Sequence, residues 1–195
     1  MNPAVFLDRD GTLIEHVHHL SDPGDVRLID GAAEAVAELR AAGYSCVVVT
    51  NQSVIGRGKL TVEGLREIHD VMHRQLAVHG VYLDGLYSCP RAPKQDDPTA
   101  IEHPDRKPGP GMLLRAASEL NLDLGCSWMV GDSISDMLAG RNAGCRGCIL
   151  VRTGFGSTID ARHEAIDYVV DDLCAASELI LKHEEETVAA RPRIV

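Results

Sequence analysis

The sequence predicts an α/β fold, a mostly parallel sheet with helices on both faces. Short apolar runs alternate along the chain with amphipathic helical stretches, the pattern of repeated strand–helix units. The strand candidate at 46–49 is a continuous apolar run, as expected of a strand covered on both sides. Three of the strand ends are followed by polar and acidic residues, where open α/β sheets bind ligands.

Residues 4–7 form the first buried strand. A helix over 32–42 follows from the spacing of Val36, Leu39 and Arg40, and Gly43 ends it. Residues 46–49 form the next strand. Thr61 caps a long helix whose apolar stripe is Leu65, Ile68, Met72 and Leu76, stopped by Gly80. A strand at 86–89 leads into an irregular stretch, 90–110, holding Pro90, Pro93, Pro98, Pro104, Pro108 and Pro110. Long loops in compact domains are usually functional or mobile. Then come a helix at 111–120, a strand at 127–130, a helix at 134–143, strands at 148–151 and 167–170, and a last helix over about 172–183. The polar tail 183–195 is expected to fray.

The 195 residues fit one domain and bury a core without disulfide staples. With 45% hydrophobic and 25% charged residues the chain is globular rather than disordered. A net charge of −10 makes it a poor nucleic-acid binder, since that needs a basic footprint. No run approaches the length of a membrane span, and the N-terminus lacks a basic region ahead of a long apolar run. The six cysteines are therefore expected to be reduced, in a cytoplasmic protein.

Asp8-Arg9-Asp10-Gly11-Thr12 directly follows the first strand. Two carboxylates that close raise each other's pKa unless a cation compensates. Mg²⁺, which takes one or two carboxylates plus phosphate and water, would do so, with Asp132 at another strand end completing the site. One carboxylate could then attack phosphorus while its neighbour handles protons. Other histidines and cysteines read more plainly. His69 and His73 lie on the shoulder of an apolar stripe and read as an amphipathic helix face. Cys145 and Cys148 read as packing residues.

Asp8-Arg9-Asp10-Gly11-Thr12, Thr50-Asn51-Gln52-Ser53, Arg106-Lys107-Pro108 and Gly131-Asp132-Ser133-x-x-Asp136 resemble the four ordered motifs of haloacid dehalogenase superfamily phosphatases. The nearest resemblance is to the D-glycero-D-manno-heptose 1,7-bisphosphate 7-phosphatase branch, related to histidinol-phosphate phosphatase. It spans roughly residues 4–182. It implies a three-layer, Rossmann-like, haloacid dehalogenase-like domain over 1–182 without a large cap domain, followed by a polar tail at 183–195. It implies a Mg²⁺-dependent phosphatase that removes the 7-phosphate of the heptose bisphosphate through an aspartyl-phosphate, on the route to nucleotide-activated heptose. Asp8 resembles the nucleophile and Asp10 the general acid and base. Thr50 and Lys107 would hold the transferring phosphoryl group. Mg²⁺ would sit on Asp8, the carbonyl of Asp10 and Asp132. Asn51, Gln52, Ser53, Arg106, His16 and His19 would bind substrate, with Arg106 reading the distal phosphate through its planar fork. Asp136 is expected to serve only as a helix start. The implied partner is a small phosphorylated sugar, with no nucleic acid or membrane, and a monomer is expected. The alternatives are a histidinol-phosphate phosphatase or other small phosphomonoesterase, and a non-catalytic binding module.

Two stretches depart from the family pattern. Relatives often hold structural zinc in the loop before Arg-Lys through Cys-Pro-His and Cys-x-Cys. Here Cys89 remains, Arg91 takes the histidine position, and His103-Pro104-Asp105 replace the second pair. Arginine cannot ligate zinc, so a structural Zn²⁺ is not expected, and an Arg91–Asp105 ion pair is expected to stand in for it. His16-Val17-His18-His19 replace a sugar-recognition segment, with His19 where tyrosine is usual.

Overall fold

Six strands form one parallel sheet in the order β3-β2-β1-β4-β5-β6. The structure, a computed structural model, describes residues 1–189. The strands are β1 (Ala4–Leu7), β2 (Ser45–Asn51), β3 (Gly85–Cys89), β4 (Trp128–Gly131), β5 (Gly147–Val151) and β6 (Tyr168–Val170). The helices are α1 (Ala32–Ala41), α2 (Ser53–Gly56), α3 (Val62–Val78), α4 (Gly111–Leu120), α5 (Ile134–Ala143) and α6 (Leu173–Ala189).

Strand periodicity divides the core into two layers. Val5 and Leu7 of β1, Cys46 and Val48 of β2, and Trp128 and Val130 of β4 face one side, against Val36 and Leu39 of α1, Ile68 and Met72 of α3 and Ile180 of α6. The alternate residues Phe6, Val47, Val49 and Met129 face the other side, against Met112 and Leu113 of α4 and Met137 of α5. Successive side chains of a strand point to opposite faces, so each central strand must be apolar throughout. That is why the valine run of β2 contains no polar break before Thr50.

Chain order reverses between β1 and β4, which pair directly through Leu7 and Val130. The loops leaving these two strands diverge there and open a crevice. Asp8 leaves β1 with its amide bonded to the Val130 carbonyl at 2.9 Å. Asp132 follows β4 directly. Among the described residues no large cap domain interrupts the sheet. The connection from β3 to α4 is the proline-rich stretch, and among the described residues it contains no helix or strand.

Two expectations are corrected. The last helix does not stop near residue 183 but runs to Ala189, and residues 190–195 lie outside the described residues. Its added turn is docked: the His183 ring lies 5.5 Å from Trp128 and 5.2 Å from Tyr168, and Glu184 accepts a hydrogen bond from Tyr44. A polar sequence need not fray when one face finds aromatic and hydrogen-bonding partners. Nor do Arg91 and Asp105 pair. Asp105 instead meets Arg115 of α4 at 3.2 Å, and the Arg91 carbonyl accepts from the Arg106 guanidinium at 2.9 Å. The Gly111 amide at the start of α4 donates to the Pro104 carbonyl at 2.8 Å, which brings Asp105 beside the helix that carries Arg115. The loop is stapled further by Glu102, whose carboxylate accepts from the amides of Lys94 and Gln95.

Candidate active site

An open cleft of about 350 Å³ lies over the crevice, walled by Asp8, Asp10, Gln52, Arg106, Lys107 and Asp132 among others. At its floor the Lys107 ammonium is buried and fully engaged. It donates to Asp8 Oδ1 at 2.7 Å and to the Val49 carbonyl at 2.7 Å, and it sits 2.6 Å from Asp136 Oδ1. Burial works against its charge, but the carboxylates of Asp136 and Asp8 outweigh that and hold its pKa above the ordinary lysine value.

Lys107 is placed by its backbone. The Asn51 amide accepts from Lys107 N–H and donates to its carbonyl, both at 3.0 Å, pinning the end of the proline-rich loop to the end of β2. Asn51 lines the cleft, but both ends of its side chain are spent on this clamp. Thr50 is buried, and its Oγ1 accepts from Gln52 Nε2 at 2.8 Å.

Asp132 owes its position to two glycines. A β-carbon on Gly11 would lie 2.1 Å from Asp132 Oδ2, and one on Gly154 2.0 Å from it. Both glycines also have positive φ, 78° and 55°, so only glycine meets both demands. The Phe155 amide donates to the same oxygen at 2.8 Å. Gly131 makes similar room for Asp136, whose carboxylate oxygen would be 2.5 Å from a β-carbon there.

The carboxyl oxygens of Asp8, Asp132 and Asp136 can all lie within 4.8 Å of one another, the one such cluster among the described residues. Three buried acids face one lysine, so the charge is not balanced by protein groups alone. Burial, followed by the opposing pull of Lys107 and then repulsion from Asp136 and Asp10, leaves the Asp8 pKa pushed up to about 7. Burial and the Asp8 charge push Asp132 up to about 8. An all-oxygen, negatively charged nest of this kind fits a hard divalent cation.

Asp136 has the helix-start role expected of it and a second contact that sequence reasoning missed. It does start α5: its Oδ2 accepts from Ser133 N–H at 3.0 Å and from Ser133 Oγ at 2.7 Å, in a capping box. Its other oxygen, however, reaches Lys107. The motif spacing that makes it a cap also points it at the strand end, one turn from Asp132, and that was the available signal.

The remaining expected residues line the cleft less tightly. Asp10 is tied to Arg9 and Gln52. Ser53 opens α2 at the rim. Arg106 is half-buried. The exposed His16 packs its ring 4.2 Å from that of Phe155, which sequence reading passed over. His19 adopts a left-handed φ of 57° and stacks at 4.0 Å on His18. Lost solvation, then the nearby His18, Lys59 and Arg57, hold its pKa below the usual histidine value, which disfavours the charged form.

A parallel sheet with this crossover, two aspartates after β1, a lysine on the first of them and an acidic cation nest define a phosphoryl-transfer hydrolase of the haloacid dehalogenase type. The HAD-hydrolase-like family profile matches residues 105–176. The D-glycero-beta-D-manno-heptose-1,7-bisphosphate 7-phosphatase of Pasteurella multocida is 43% identical over 92% of this chain and 97% of its own length. The D-glycero-D-manno-heptose-1,7-bisphosphate 7-phosphatase of Thermosynechococcus vestitus is 40% identical over 93% and 96%. Among solved structures, D,D-heptose 1,7-bisphosphate phosphatase from B. bronchiseptica, complexed with magnesium and phosphate, superposes with a TM-score of 0.81. It has 34% identity and covers 93% of this chain and 99% of its own. The chain belongs to the heptose-1,7-bisphosphate 7-phosphatase branch of the haloacid dehalogenase superfamily.

Proposed function

We propose that this protein is a Mg²⁺-dependent phosphatase that removes the 7-phosphate of D-glycero-D-manno-heptose 1,7-bisphosphate through an aspartyl-phosphate on Asp8. The observation that carries the reading is the buried Asp8–Lys107 contact beside Asp132 and Asp136 at the sheet's crossover. Asp8, Asp132 and the Asp10 carbonyl would hold Mg²⁺, with Asp136 close by. When bound, the ion supplies positive charge against the phosphoryl oxygens.

The chain's own groups divide the work. The Asp8 carboxylate attacks phosphorus as the sugar oxygen leaves, and Asp10 gives that oxygen its proton. Asp10 then takes a proton from water, which attacks the aspartyl-phosphate and returns Asp8 to a free carboxylate. Lys107 keeps the attacking carboxylate aimed and neutralises charge on the transferring group, as phosphoryl transfer requires. Thr50 offers a hydroxyl to the same group. Arg106, turned into the cleft and anchored through Arg91, reads the second phosphate, and His16 and His19 border the sugar. Asn51 and Gln52 act through Lys107 and Thr50.

The test is phosphate release from both anomers of the heptose bisphosphate, beside histidinol phosphate, with and without Mg²⁺ and with Asp8→Asn as control. Strong Mg²⁺-dependent preference for a heptose anomer, abolished by Asp8→Asn, supports the reading. Equal slow rates on all three substrates would overturn the substrate, and a fully active Asp8→Asn the mechanism.

A further inference from the structure

Phe155 is 50% exposed, and among the described residues it is the one large exposed apolar side chain that lines the active cleft. The other apolar residues of that wall differ: Leu20 and Val54 are buried, and Val17 is partly so. A single exposed ring is ordinary on a protein surface. This one is held rigidly. Its amide donates to Asp132 Oδ2 at 2.8 Å, and its carbonyl accepts from the Thr158 amide at 2.9 Å and the Thr158 hydroxyl at 2.7 Å. The next residue, Gly156, is packed so closely that a β-carbon there would lie 1.7 Å from the Val151 carbonyl oxygen. The turn that supports the acidic nest therefore also fixes the ring.

The ring centroids of Phe155 and His16 are 4.2 Å apart, with the planes inclined by 57°. Both residues line the cleft, and both also line a neighbouring hollow bordered by the exposed Glu15 and Asp30. The aromatic pair is thus a partition. The cleft carries Lys107 and Arg106, whereas the hollow carries two acids that repel a phosphorylated ligand. A sugar bisphosphate is anionic at two ends and uncharged between them, where the C–H bonds of its ring form an apolar face. An aromatic ring offers such a face dispersion contacts and the release of water. The position suits this. Carboxyl oxygens of Asp8 and Asp132 lie within 4.8 Å of each other, and the Phe155 amide is bonded to Asp132. A sugar whose phosphorus is seated at Asp8 begins beside this turn.

We propose that Phe155, backed by His16, is a specificity-determining residue: a stacking platform for the apolar C–H face of the substrate's sugar ring. This rests on the reading of the protein as a sugar-phosphate phosphatase with Asp8 as nucleophile. The platform selects phosphate esters of ring-shaped sugars and takes no part in phosphoryl transfer.

The experiment measures kcat and KM on the heptose bisphosphate, on D-glucose 6-phosphate and on acetyl phosphate, which has no sugar. Phe155→Ala should raise KM for both sugar phosphates by about tenfold or more, the cost of losing burial against an aromatic side chain. The kcat values should change little, because a contact made equally in the ground and transition states is uniform binding. Acetyl phosphate kinetics and the half-saturating Mg²⁺ concentration should stay at wild-type values, since the amide on Asp132 is retained. Phe155→Tyr should keep the wild-type KM, and Phe155→Leu, with apolar bulk but no flat face, should fall between. His16→Ala should raise KM in the same direction by less, and no change there would remove His16 from the platform.

An equal loss on acetyl phosphate, or a shifted Mg²⁺ requirement, would make Phe155 a structural support of Asp132 and overturn the platform. An unchanged KM on the sugar phosphates would overturn it too, and Phe155→Leu matching the wild type would overturn the stacking contact. The heptose reading is judged separately, on the wild type alone. No preference for the heptose bisphosphate over glucose 6-phosphate overturns that reading, while a Phe155→Ala loss confined to the two sugars still supports the platform.

Discussion

Asp136 divides its carboxylate between two tasks: Oδ2 caps α5 through Ser133, and Oδ1 lies 2.6 Å from the Lys107 ammonium. A helix terminus is thereby tied to the group that aims the proposed nucleophile. Breaking the tie should separate the tasks. Asp136→Asn keeps a capping acceptor but removes a charge from the nest. Loss of such a supporting partner typically costs about 10- to 100-fold in metal affinity or activity. The half-saturating Mg²⁺ concentration should rise by that order while the melting temperature changes little. A Mg²⁺ titration of phosphatase rate beside thermal unfolding checks both.

Gly11→Ala and Gly154→Ala should each displace Asp132. The added methyl would sit about where the carboxylate oxygen now is, on a backbone that L-residues adopt reluctantly. Mg²⁺ binding, measured by calorimetry, should weaken by about tenfold or more in either variant. Gly43→Ala, also at positive φ but with open space around it, should lose stability without losing Mg²⁺ affinity.

The metal-free protein should lose stability as pH rises. Asp8 and Asp132 have native pKa values raised to about 7 and about 8, against 3.8 ordinarily. Between those limits the native state holds more protons than the unfolded chain, so unfolding becomes easier with increasing pH. The contribution is full below pH 4 and is gone once pH passes about 8. Thermal melts in EDTA at pH 5 and pH 8 should show this fall, smaller in Asp8→Asn, and Mg²⁺ should restore more stability at pH 8 than at pH 5. A wild-type slope no steeper than that of Asp8→Asn would contradict the raised value for Asp8.

Arg106→Ala should discriminate between substrates. A charge-assisted contact to the distal phosphate is worth about 1.5–3 kcal/mol, which is about 10- to 100-fold in kcat/KM for the bisphosphate. A simple monophosphate should lose no more than a few-fold. Equal losses on both would remove Arg106 from recognition of the second phosphate.

Much of this architecture is legible in the sequence, for physical reasons that differ by element. β2 and α3 declare themselves because their burial is uniform or strictly periodic: the valine run fills both faces of the sheet, and Leu65, Ile68, Met72 and Leu76 repeat as one buried stripe. Asp8, Lys107 and Asp132 are legible through their motifs. What stays hidden depends on contacts between distant segments. The second bond of Asp136 requires knowing that residue 107 returns to the end of β2. The partner of Asp105 depends on the turn into α4, and the extent of α6 on aromatic rings from β4 and β6.

The Asn51 clamp has a consequence for how this enzyme could diversify. Lys107 is fixed by the strand end, and the Pro108 carbonyl accepts from Asn142 of α5 at 2.9 Å. The chemistry is therefore anchored at the downstream border of the proline-rich stretch and does not depend on the conformation of residues 92–102. That stretch is a replaceable cassette. Exchanging it would leave the Asn51 and Asn142 anchors of Lys107 and Pro108 in place.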